Sequence, residues 1–293
     1  MELNHISLCS GIGGIDLAAE MAGFTTVAQC EIDEYASKIL AKNFKGVPNL
    51  YDIRTVTNAR LREYGIDPKT ITLLSAGFPC QPYSLAGKGF GDGDERDLWG
   101  EVARCIGEIK PRWFVGENTP GLFSRSNQRY FNRILRDLAE MGYRVSWGIW
   151  GACDVGAPHK RERIFILAHT YGKRRFSVYQ NSKERRPDLC MVSTSCGRTW
   201  EKVWTCETID RVFGILKDTP EPYSKFARDD NGLSVGVDRL RCLGNAVVPQ
   251  QIYPLLYVIA EYERSKYEMR VRRRARVRGN AVYDDGKESM PGM

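Results

Sequence analysis

"LCSGIGGIDLAAEMAGF", residues 8–24, decides the fold. An apolar run at residues 6–9 leads into Gly11, Gly13 and Gly14, and an amphipathic helical pattern follows them directly. Strand, glycine turn, helix is the opening unit of a parallel α/β sheet. Glycines at that turn let the backbone bend tightly and come close to a ligand. A second apolar run at 26–30 ends on Glu31, 18 residues after Gly13. From that position a carboxylate grips ribose hydroxyls in nucleotide-type folds. The phosphate-binding pattern GxGxxG is absent, because the turn reads GxGG. A nucleoside lacking phosphates therefore fits better than a dinucleotide. Asp52, in "YDIRTV", follows the next connection and by itself reads first as an ordinary loop aspartate, with reach to an adenine edge as the functional alternative.

Outward from this unit the alternation continues. Further strands are expected at 71–75, 113–115, 144–150 and 163–168. Between them, "DEYASKILAKNF" presents Ala36, Ile39, Leu40 and Phe44 on one helical face. "LWGEVARCIGEI" presents Trp99, Val102, Ala103, Ile106 and Ile109, and "FNRILRDLAEMG" presents Phe131, Ile134, Leu135, Leu138 and Met141 before a stop at Gly142. This predicts an α/β, Rossmann-like domain with a mostly parallel sheet and right-handed crossovers. Residues 170–236 are rich in Ser, Thr, Arg, Lys and Asp and lose the periodicity; they read as a small insert. Order returns at 237–263, where Leu255, Leu256, Ile259 and Tyr262 suggest a helix face completing the domain of 1–169.

The 293 residues suffice for one large domain plus an insert. No apolar run reaches membrane-spanning length, and "MELNH" lacks a basic leader with an apolar core, so a cytoplasmic location without membrane or secretory signal is expected. Nine scattered cysteines with no CxxC pair argue for reduced thiols and against a metal site or disulfide framework. The net charge of +7 equals that of residues 264–278 alone, which hold eight Lys/Arg and one Glu. This basic tail, 264–293, reads as either a flexible solvated arm or a sequence-independent phosphate contact.

Three further stretches carry chemistry. "AGFPCQPYSLAGKGF", residues 76–90, places Cys80 where a strand gives way to a glycine-rich loop. In open α/β sheets ligands bind at that edge. "PRWFVGENTPGLF" delivers Glu117 and Asn118 to the same edge. A carboxyl beside a thiol makes sense where it donates a proton or hydrogen bond to a ring nitrogen, its proton retained through anionic neighbours. In "GAPHKRERIFILA", Arg161 and Arg163 alternate with Glu162 and so share one face, with Arg163 at the strand start.

The ordered series "CSGIGG", "CEID", "YDI", "GFPCQPYS", "DLWGEVARCI", "GENTPGL", "HKRERIFIL" and "GNAVVP" resembles the DNA cytosine-5 methyltransferase family of bacterial and phage type. It spans residues 8–249 and omits only the insert and the tail. The resemblance implies a Rossmann-like methyltransferase fold binding S-adenosyl-L-methionine, with the insert acting as target-recognition region. It implies Cys80 as nucleophile, Glu117 at N3 and N4 of the cytosine and Arg163 at its O2, with Arg161 counted among the catalytic residues. Cys9, Gly11, Ile12, Gly13, Gly14, Glu31, Ile32, Asp52, Ile53, Pro79, Leu98 and Asn245 would surround the cofactor. Cys9 stands where the family often has phenylalanine, His159 replaces a glutamine and Thr119 a valine.

The chemistry explains the set. Carbon 5 of cytosine is a poor nucleophile until a thiolate adds at C6. Proton donation at N3 and a cation at O2 relieve the charge that forms. The base must leave the helix stack to be reached. DNA contacts are expected from Gln81, Ser84 and Arg96 around the nucleophile and from Lys173, Arg174 and Arg175 in the insert, where aromatics interleave with basic residues. The expected partner is double-stranded DNA, engaged by a monomer; whether a companion restriction endonuclease exists is left open by the sequence. RNA methylation on the same scaffold, or a catalytically silent DNA-binding relative, are the competing readings.

Overall fold

The structure, a computed structural model, describes residues 1–79, 97–155, 157, 159–170, 191–193 and 246–284. Its seven strands are β1 (Asn4–Leu8), β2 (Thr25–Cys30), β3 (Ile71–Ala76), β4 (Trp113–Asn118), β5 (Tyr143–Trp150), β6 (Arg163–Thr170) and β7 (Met191–Ser193). They form one sheet in the order β2-β1-β3-β4-β6-β5-β7. Parallel pairing joins β1 to β2 and β3, β3 to β4, and β5 to β7, while β6 runs against both β4 and β5. The sheet is thus mostly parallel, as expected, with β6 alone reversed.

The helices are α1 (Gly14–Met21), α2 (Glu34–Asn43), α3 (Asn58–Glu63), α4 (Trp99–Ile109), α5 (Gln128–Glu140) and α6 (Pro249–Asp284). Local chemistry sets their ends. Asp33 caps α2 by accepting from the Ala36 amide, and Gly142, at a φ of 87°, provides the left-handed turn beyond α5.

Period-two alternation in the strands builds a core on each face. Leu74, Phe114, Ile164 and Ile166 point to the face covered by α4 and α5 with Trp99, Ile106, Phe131 and Ile134. Leu73, Trp113, Val115, Phe165 and Leu167 point to the other, where α1 and α6 supply Ile15, Ala18, Ile252, Leu256 and Ile259. Inside the sheet, buried His5 joins three strands through Thr26 Oγ1 at 3.0 Å and Ser75 Oγ at 2.8 Å. Burial holds its imidazole down to about 3, so it sits neutral between the two hydroxyls.

Three expectations need correction. Cys9 lies beyond β1, with a φ of 50°, and starts the glycine turn instead of ending the strand. Tyr262 is half exposed, lying edge-on to Trp113 at 5.6 Å, because α6 turns Leu255, Leu256 and Ile259 inward and leaves it at the rim. No element boundary falls at 263/264: α6 continues through it to Asp284. In addition, β7 comes from within the 170–236 stretch and pairs with β5, extending the catalytic sheet.

Candidate active site

Four strand ends meet at one edge of the sheet. The turn after β1 forms one wall of this edge. Gly11 and Gly13 have φ of 57° and 89°, the left-handed region that favours glycine. A Cβ on Gly11 would meet nothing within 4 Å, whereas one on Gly14 would lie 2.3 Å from the Val247 carbonyl oxygen. Gly11 thus borders open space, and Gly14 lets α1 pack against the segment leading into α6.

Glu31, just past β2, folds back over this turn. Its Oε2 accepts from the Gly11 amide at 2.7 Å and its Oε1 from the Asp33 amide at 2.8 Å. Asn49 fixes the backbone here: its Oδ1 accepts from the Glu31 amide at 3.0 Å and its Nδ2 donates to the Glu31 carbonyl at 3.1 Å. Sequence reading missed Asn49, because a lone polar side chain in a loop has no periodic signal. Beside it Ile32 is 69% exposed, an apolar surface at the edge where an aromatic base would lie. Ile12 and Ile53 are buried beneath. Asp52 starts the turn over Ile53–Thr55 and pairs with Arg54 at 2.9 Å, which lowers its carboxyl from the usual range. An open glycine turn, an anchored carboxylate and an exposed isoleucine fit the ribose and base of a nucleoside cofactor.

The other wall comes from β4 and β6. Glu117 is 7% exposed, and its Oε1 lies 2.9 Å from Arg163 Nε. Burial raises the carboxyl to about 7, against the opposing pull of Arg163 and Arg161. The expected cause, anionic neighbours, is therefore corrected: among the described residues desolvation raises it and two cations temper the rise. Arg161 also departs from the expected strand alternation. It precedes β6 with a φ of 32°, and its guanidinium donates to the Ala246 carbonyl. Gln251, buried in α6, donates to the Trp150 carbonyl at 2.8 Å and the Arg161 carbonyl at 3.0 Å. The segment leading into Arg163 is thereby fastened to α6.

The two walls meet at Gly77. A Cβ there would lie 3.5 Å from the Cys9 carbonyl oxygen and 3.5 Å from Glu117 Oε2. Asn118 Nδ2 donates to the Phe78 carbonyl at 2.8 Å, tying the end of β4 to the chain that leads to Pro79. Leu98 packs at the start of α4, where Asp97 accepts from Tyr130 at 2.7 Å and Arg133 at 2.9 Å. Cys80, Gln81, Ser84, Arg96, Lys173, Arg174, Arg175 and Asn245 lie outside the described residues. Among the described residues there is no cluster of three or more His, Cys, Asp or Glu suited to a metal, and no helix is long and apolar enough to cross a membrane.

The chain is similar to known proteins. The chain is 40% identical over 166 residues to the type II methyltransferase M.NgoBI of Neisseria gonorrhoeae, a match covering 55% of this chain and 49% of that protein. It is 35% identical over 184 residues to M.AquIA of Picosynechococcus, covering 59% and 74%. The chain thus spans about half the length of the first relative and about three quarters of the second. A crystal structure of a Spodoptera frugiperda DNMT2 variant superposes with a TM-score of 0.57 at 16% identity, over 88% of this chain and 99% of that one, a likeness of fold. The sequence profile for C-5 cytosine-specific DNA methylases matches residues 3–227, and the chain belongs to that family.

Proposed function

We propose that this protein transfers a methyl group from S-adenosyl-L-methionine to C5 of a flipped-out cytosine in a short double-stranded DNA target, through a covalent bond to Cys80. The observation that carries the reading is the Glu117 carboxyl, buried, titrating near neutrality and held by Arg163 within reach of the chain that leads to Cys80. A carboxyl poised this way supplies a proton where an ordinary, ionised glutamate has none.

The residues then have defined tasks. Glu31 and the Gly11 turn hold the cofactor's ribose, and Ile32 faces its base. When bound, the cofactor supplies an electrophilic methyl group. The Cys80 thiolate adds to C6 of the cytosine, and the electron pair of the C5–C6 double bond moves toward N3. Glu117 gives N3 its proton, and Arg163 stabilises O2, its guanidinium oriented by the ion pair. The enamine so formed makes C5 nucleophilic. Once C5 is methylated, a base takes its remaining proton, the thiolate leaves C6 and the double bond returns, while N3 gives its proton back to Glu117. Residues 170–236 are assigned to target recognition.

Bisulfite sequencing of DNA from cells expressing the chain tests this. Protected cytosines within one short recurring sequence are expected. Protection confined to RNA from the same cells, or to neither polymer, overturns the reading.

A further inference from the structure

Helix α6 crosses the whole domain. Its first turn lies at the catalytic edge, where Gln251 holds the Trp150 and Arg161 carbonyls. Glu263 lies at the opposite edge: its Oε1 accepts from Trp113 Nε1 at 3.0 Å and its Oε2 pairs with Arg112 at 2.9 Å. Arg264 donates to the Ala22 carbonyl at 3.1 Å. Trp113 opens β4, and Ala22 closes α1, so both mark the edge where the parallel strands begin. The run from Gln251 to Glu263 covers roughly 18 Å at the helical rise of about 1.5 Å per residue.

The helix then continues to Asp284, a further ~30 Å of contour. Residues 267–272 are all exposed. Residues 265–284 contain seven Lys/Arg against two acids. Lys266, Arg270, Arg274 and Arg278 follow one i, i+4 row with Arg273 beside it, and Arg272 and Arg276 share another face. Tyr267 and Val271 share an i, i+4 row, but Arg274 and Arg278 continue that row at i+3 and i+7 from Val271 and Met269 stands apart, so no apolar stripe is sustained. A helix without an apolar stripe suits neither a hydrophobic groove on a protein nor the surface of a bilayer. Positive charge around the shaft suits a phosphate backbone. The direction of exit matters as much as the charge. The extension leaves from the edge opposite Glu117 and Arg163, away from any duplex whose cytosine occupies the site.

We infer that residues 265–284 bind the phosphate backbone of a second DNA segment, distinct from the duplex being methylated. The inference rests on the proposed function for the identity of the nucleic acid. One molecule then bridges two stretches of DNA, holding itself near the polymer while the site samples targets.

The test uses the full chain and a variant with Arg270, Arg272, Arg273, Arg274, Arg276 and Arg278 changed to Gln, which keeps helix-forming side chains. A biotinylated duplex of about 16 base pairs, roughly one and a half helical turns, carries the methylation target and is immobilised. A labelled, unrelated duplex is the second probe. The wild type is expected to capture the labelled duplex on the immobilised one, and the variant to lose most of that capture. Both should bind the short target alone with salt slopes differing by less than ~0.9, the loss of one phosphate contact. A lower slope on the short target in the variant would show that the helix grips the same duplex as the site, and overturns the inference. Equal capture by both proteins, or none by the wild type, also overturns it. Failure of the wild type to methylate any DNA instead defeats the proposed function, whatever the capture result.

Discussion

Arg163 and Glu117 form an ion pair of 2.9 Å across two strands that run in opposite directions, and the carboxyl still titrates near 7. Desolvation outweighs the attraction of the arginine. The protonated form is thus available at neutral pH beside the Arg163 cation, to which the proposed function gives the substrate's oxygen. The fraction of protonated Glu117 falls as pH rises through about 7, so the acid-dependent step should slow over that range. Glu117→Gln should reduce turnover by about 10²–10⁴-fold, the usual contribution of general acid catalysis, and erase that limb of the pH profile. Transfer of labelled methyl groups, measured between pH 6 and 9 in both proteins, checks this.

The same group links stability to pH. Its folded value lies above the ordinary 4.5, so the native state binds more protons than the unfolded state between about 4.5 and 7. Stability contributed by this residue is present at low pH and is lost as pH rises to about 7. Denaturant unfolding of Glu117→Gln should show a flatter pH dependence over that window than the wild type.

The covalent intermediate of the proposed function can be tested for directly. Fluorine at C5 cannot leave as a cation, so a target duplex carrying 5-fluorocytosine should remain attached to Cys80 after methyl transfer. The adduct should survive denaturing electrophoresis. Cys80→Ala should abolish adduct and methylation together, while the buried thiol variant Cys105→Ala retains the adduct. An adduct persisting in Cys80→Ala would remove that residue from the mechanism.

Glu31 accepts two backbone amides, one from the glycine turn and one from the start of α2. Glu31→Ala should weaken cofactor binding by roughly 1.5–3 kcal/mol, the range for hydrogen bonds to charged groups. Titration calorimetry with S-adenosyl-L-methionine gives the number, and unchanged affinity would take Glu31 out of the cofactor site.

Gly14 has no room for a side chain, because the Val247 backbone would lie 2.3 Å from an added Cβ. Gly14→Ala should force α1 away from the start of α6 and cost about 1–3 kcal/mol of stability, as overpacking does. Chemical denaturation measures it, and a neutral result would mean the two segments separate freely.

Much of the sheet and its catalytic edge was legible in the chain, for particular reasons. Leu73 and Leu74, or Phe114 and Val115, point to opposite faces of a doubly covered sheet, so their apolar runs announced buried strands. Gly11, Gly13 and Glu31 were readable because a left-handed turn and a strand-end carboxylate are set by local spacing. The cause of the Glu117 shift was not readable, since it depends on burial by elements distant in sequence. Asn49 and Gln251 act through single polar side chains that hold carbonyls or amides far along the chain, which leaves no pattern in composition. Tyr262 misled because three of four positions on its helical face do turn inward. The run of α6 past residue 263 was hidden because a solvated basic helix and a solvated basic coil are composed alike.

Helix α6 has a consequence for how the protein is made. It covers the face bearing Leu73, Trp113, Val115, Phe165 and Leu167, and it holds the backbone of Arg161 through Gln251. Those strands emerge from the ribosome well before α6 does. Until residues near 260 are synthesised, the nascent chain carries that sheet face covered only by α1, and an unfastened arginine segment. Chaperone occupancy is needed longest on that face. A chain that stalls in translation before α6 lacks both the apolar cover of that face and the Gln251 bonds that hold the Trp150 and Arg161 carbonyls.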